Sequence, residues 1–103
     1  MEKELMGREK INLFKEKTES KSIVAKNDNF MSVFLNLKAG EGVPNHSHEK
    51  MAQLVVLEGK VRIHFEDGQE FELSKVELLS FNSKVTHNVV ALEESKALVT
   101  VGL

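Results

Sequence analysis

Cysteine is absent from this chain of 103 residues, which excludes disulfide frameworks, thiolate metal centres and cysteine nucleophiles together. Any metal it holds must therefore be bound through nitrogen and oxygen. Tryptophan and tyrosine are absent too, so the aromatic platforms on which nucleic-acid bases stack are scarce, and the six phenylalanines sit inside alternating apolar runs. Charge of one sign is equally scarce. The 14 basic residues against 16 acidic ones leave a formal net charge of −2, and neither nucleic acid nor an anionic membrane surface is attracted to such a chain. No apolar run approaches the roughly 20 residues of a membrane helix. The first ten residues carry Glu2, Lys3, Glu4, Arg8, Glu9 and Lys10 and leave no room for the apolar stretch of a signal peptide. The expectation is a cytoplasmic protein with neither nucleic-acid nor membrane partners.

With 41% apolar residues the chain can build one hydrophobic core. Residues 1–9, interrupted by Gly7 and with charges on no clear face, are expected to form a flexible tail or a ragged helical turn. Residues 10–103 form the expected domain. In it, Ile11-Asn12-Leu13-Phe14 reads as a strand, Lys15 to Lys21 as a solvated loop, and Ile23 to Ala25 as a second short strand. From Phe30 the period is two, with Met31, Val33, Leu35 and Leu37 on one face and Ser32, Asn36 and Lys38 on the other. Gly40, Gly42 and Pro44 mark a turn-rich patch before Asn45-His46-Ser47-His48. Gln53 to Leu57 and Val61 to Phe65 are strands joined by Glu58-Gly59, and Asp67-Gly68 signals a type I′ hairpin into Phe71 and Leu73. Glu77 to Phe81, Thr86 to Ala91 and Ala97 to Val101 complete the pattern. About ten short strands spaced roughly 8–12 residues apart, with no convincing helix, point to an all-β sandwich or barrel.

Chemistry concentrates on histidine. At i and i+2 on a strand, His46 and His48 project from one face, and a neutral imidazole is the commonest nitrogen ligand for transition metals. His87 begins a late strand that a second sheet can bring opposite the pair. The alternative is that the three line a barrel mouth as ordinary polar residues, hydrogen-bonded to neighbours or water. His64 alternates with Val61, Ile63 and Phe65 and is expected on the surface. Ser47 points away from the histidine pair and cannot be its nucleophile. Met51 and Phe81 are the candidate pocket residues, Met51 as a flexible filler near the mouth.

The stretch from Gly40 through His46-x-His48 to Val56-Leu57-Glu58-Gly59 resembles the first motif of the cupin superfamily, and Val76 to Asn88 is similar to its second in length and hydrophobic pattern. The resemblance spans Phe30 to Val101 and is nearest to the small single-domain bacterial cupins. It implies a double-stranded β-helix, or jelly-roll barrel. It also implies a divalent transition metal (Fe, Mn, Zn or Ni) on His46, His48 and His87, with Gln53 as fourth ligand, a small-molecule ligand and a homodimer. With no carboxylate among those ligands, anionic chelating molecules would be favoured.

The chain departs from the family's pattern in definite places. The family's acidic or glutamine ligand, counted back from Gly59, falls on Ala52, and Gln53 lies one residue off. A slip of one residue turns a strand side chain to the opposite face, so Gln53 reaches the site only if a bulge or turn absorbs it. In the second motif Val76, Asn82 and Lys84 replace glycine, proline and glycine, while Glu77 replaces an aspartate and is expected to fix a turn. Two functions follow: a metal-dependent enzyme or binder, or a metal-free, non-catalytic module acting as a ligand-sensing or structural dimer.

Overall fold

Alternation of apolar and polar residues builds both layers of this protein. The computed structural model describes residues 9–103, so nearly all of the segment expected to be a tail lies outside the described residues. The described chain runs α1 (Leu13–Glu16), β1 (Lys21–Lys26), β2 (Phe30–Leu37), β3 (Gly42–His46), β4 (Met51–Glu58), β5 (Lys60–Phe65), β6 (Glu70–Ser74), β7 (Leu78–Asn82), β8 (His87–Ala91) and β9 (Ser95–Gly102). One antiparallel sheet has the order β1-β2-β9-β4-β7 and the other β3-β8-β5-β6. Their facing sides meet in a core of Val33, Leu35, Leu54, Val56, Ile63 and Val89 with their neighbours. The all-β jelly roll is therefore present, with nine strands among the described residues.

The tenth expected strand is a helix instead. Asn12 caps it, its side-chain oxygen accepting the Lys15 N–H at 3.1 Å while the Glu16 carboxylate accepts the Asn12 N–H at 3.1 Å. This reciprocal capping competes locally with extended pairing, and the short apolar run around Phe14 is too brief to win a strand. Phe14 then lies over Phe34, ring centroids 6.2 Å apart, and Phe34 is fully buried although it points away from the core between the sheets. The Lys96 ammonium sits 5.4 Å from the Phe14 ring, so the cover is part apolar and part cation–π.

Two turns set the register. At Gly59 φ is +89°, and a Cβ there would strike the Glu94 carbonyl. The buried Ser95 hydroxyl accepts the Lys60 N–H at 3.0 Å and ties this turn to the start of β9. At the β6–β7 turn the Glu77 carboxylate accepts the Ser74 N–H at 2.7 Å, the turn-fixing role expected of it. The preceding Val76 holds φ at 62° and is 79% exposed. A β-branched residue in the left-handed region is strained, and so exposed a side chain returns little packing. Val76→Gly should therefore raise stability by about 1 kcal/mol, read as a higher urea midpoint with an unchanged slope. A lower midpoint would show that the valine contributes more than its strain removes.

Candidate metal centre

β3 is an edge strand, which is why it tolerates Pro44 and its missing N–H. Val43 pairs with Val89 and His46 with His87, so three steps along β3 match two along β8. The extra residue is a bulge at Pro44–Asn45. It reverses the side that strict alternation would assign, and His46 joins Val43 on the cavity side. His87, the first residue of β8, lies directly across, the two ring centroids 4.3 Å apart.

His48 reaches the same place by another route. It lies beyond the end of β3, so strand alternation does not aim it as the sequence suggested. Its N–H donates to the Ser83 carbonyl at 2.8 Å, docking the β3–β4 loop on the β7–β8 turn. Ser83, fully buried, donates its own hydroxyl to the Lys50 carbonyl and closes that junction. The His48 ring then stands 5.5 Å from the His46 ring. Nothing in the Asn82-Ser83-Lys84 turn had marked Ser83 as a supporting residue.

Hydrogen bonds settle which nitrogens are available. His46 Nδ1 lies 2.8 Å from the Pro44 carbonyl and His87 Nδ1 2.7 Å from that of Val85. A carbonyl oxygen only accepts, so each Nδ1 carries the proton and donates it. In the neutral rings the lone pair is then on Nε2, the tautomer that metal-ligating histidines take when a backbone carbonyl holds the other nitrogen. Burial lowers the His87 pKa, and the neighbouring His46 and His48 charges lower it further against the opposing pull of the Val85 hydrogen bond. Phe65 and Phe81, with ring centroids 5.6 and 5.0 Å from His87, provide the dry surroundings. This donor set suits a divalent transition metal: three imidazoles, two of them locked, and no thiolate. As the rings stand, no group of three His, Cys, Asp or Glu among the described residues is arranged to hold an ion.

Two candidate residues fall away. Gln53 is exposed on the outer side of its sheet between Ser80 and Thr100, and Ala52, buried, faces the cavity. The only shift between β4 and β9 comes at Val56/Glu58, too late to turn Gln53 inward. Met51 is 55% exposed and does not line the cavity, whereas Phe81 does. His64 lies on the surface as expected, 3.8 Å from the Glu70 carboxylate. The cavity, about 340 Å³, also takes Lys21 from β1 and Met31 from β2, which the sequence had not signalled.

Two sheets enclosing histidines at the mouth of an apolar cavity define a jelly-roll protein of the cupin class. The family model for the cupin domain matches residues 33–102, and the chain belongs to that family. It is similar to an RmlC-like cupin protein from Desulfovibrio desulfuricans, with 26% identity, a TM-score of 0.80 and coverage of 92% of this chain and 97% of that one. KdgF from a Halomonas species is 26% identical with a TM-score of 0.69, covering 80% of this chain and 77% of its own. An RmlC-like cupin from Methanocaldococcus jannaschii, described as a double-stranded β-helix, shares 16% identity at a TM-score of 0.75, with 91% and 90% covered; it speaks to the fold alone. No curated protein matches the chain.

The lowered His87 pKa gives stability a pH dependence of definite sign. The unfolded chain takes up its proton first as pH falls, so the stability that neutral His87 confers is complete above its ordinary value and is lost below it. Metal-free protein should melt at a lower temperature at about pH 5.5 than at about pH 7.5, and His87→Gln should flatten that difference. An equal drop in the variant would assign the effect to other groups.

Proposed function

We propose that this chain is a cupin that binds one divalent transition metal through Nε2 of His46, His48 and His87 and presents it to a small anionic molecule in the cavity. The observation that supports this reading best is the pair of Nδ1–H bonds to Pro44 and Val85, which leave two adjacent imidazoles with Nε2 as their lone-pair nitrogen. Closure on an ion requires the rings to turn from their present positions. Iron, manganese, zinc and nickel all accept such ligands. When bound, the metal supplies a Lewis-acidic centre with open positions. The chain's own contribution is to favour neutral His87, shield it with Phe65 and Phe81, and exclude water with an apolar wall. Oxidation, isomerisation and hydrolysis all suit such a centre.

A metal-free sensing or structural module is the second reading, favoured by Ala52 where the family's additional ligand falls. Either form is proposed as a cytoplasmic homodimer, in keeping with the family resemblance and with apolar Leu78 exposed beside Val55 on the outer side of the five-stranded sheet.

Elemental analysis of protein purified without chelator separates the readings. Wild type should carry about one transition metal per chain and His48→Ala nearly none, while Ser83→Ala, which loosens the loop holding His48, should lose about tenfold in affinity. Equal metal in wild type and His48→Ala would rule the site out. A metal-free wild type whose melting temperature ignores added zinc, iron, manganese and nickel would favour the module.

A further inference from the structure

The cavity wall carries information about the molecule it receives. Among the described residues fifteen line it, of which eleven are apolar and the other four are Lys21, His46, His48 and His87. None of these described residues is acidic, and none brings a hydroxyl or an amide side chain. Phe81, its ring centroid 5.0 Å from that of His87, pairs with Ala52, and Ala52 and Met31 each pair with Val101, which sets the level of the histidine end. Lys21 pairs with Leu35, four residues further along β2, and so lies roughly 13 Å from that level. Lys21 is exposed, keeping its ammonium in water while its methylenes extend the wall. Between the two ends the surface is Val33, Val99, Leu54 and Val89.

Such a wall discriminates by desolvation. A methylene or phenyl group leaves water favourably against it, whereas a hydroxyl placed there loses its water and finds no partner. The proposed metal sets the sign of charge as well, because no carboxylate stands among these described residues to repel an anion. We infer that the cavity takes a carboxylate with an apolar body, its carboxylate at the histidine end and its aliphatic or aromatic part along the valine and leucine wall, and that it rejects polyhydroxylated acids of the same charge. This rests on the proposed metal-binding reading for the anchor of the carboxylate, while the selectivity comes from the wall.

Calorimetric titration with 3-phenylpropionate and with glucuronate tests it, on metal-loaded and on metal-free protein, with metal content measured in the same samples. Phenylpropionate should bind at least about tenfold more tightly than glucuronate in one or both states. Val99→Thr, nearly isosteric, places a hydroxyl in the wall and should narrow that ratio severalfold; circular dichroism checks its folding, and the wild-type ratio decides alone if it misfolds. Equal affinities, a preference for glucuronate, or no binding of either acid overturns the inference. A chain that takes up no metal yet keeps the preference supports the wall's selectivity and removes the metal anchor. A chain that binds metal without the preference overturns the selectivity alone.

Discussion

The one-residue slip between β3 and β8 decides which way His46 points, and the site follows from that direction. Three residues from Val43 to His46 oppose two from Val89 to His87. Without the slip, strict alternation would send the His46 ring to solvent and leave His87 without the imidazole across from it. With it, two imidazoles oppose each other across a strand pair, and each Nδ1–H is taken up by the carbonyl two residues before it. The edge position of β3 makes the slip tolerable, since a bulge and a proline there break hydrogen bonds on one side only.

Among the described residues, the polar side chains of the cavity are few, and all but Lys21 are gathered at one end. His87 is buried among phenyl rings, a setting that favours its neutral form and hence its role as a ligand. The same dryness that suits an imidazole lone pair suits an apolar ligand body, so one physical property of the barrel serves both the proposed centre and the proposed selectivity. His48 depends on a different support, the loop-to-turn junction closed by Ser83 and Lys50. It is the least constrained of the three rings.

Much of the fold was legible because period-two alternation over β2, β4 and β5 is strong and its turns carry Gly59 and Asp67-Gly68. Ile11 to Phe14 misled because side-chain capping by Asn12 and Glu16 leaves no mark on hydropathy. The uninterrupted Val33-Phe34-Leu35 was the available signal that β2 is covered on both sides and needs something like Phe14 over it. The histidines were legible as a cluster, but not the means of their convergence, because a bulge and a docked loop do not show in spacing. Gln53 could have been settled earlier: Leu54 and Val56 face the core, and the same alternation carries Ala52, not Gln53, to that side. Lys21 joins the cavity from a strand far away in sequence, through a register that no local pattern encodes.

The central proposal is that His46 and His87, their Nδ1–H groups held by backbone carbonyls, turn Nε2 together with His48 onto one metal ion. Nitrogen-15 spectra of the histidine rings test it most directly, recorded on metal-free protein near pH 7.5 and again with one equivalent of zinc. The account predicts Nδ1–H tautomers for His46 and His87 before zinc is added, then a shift of all three Nε2 signals together, with His64 unmoved. Nε2–H tautomers in the metal-free protein, or zinc that leaves the three Nε2 signals in place, would contradict it.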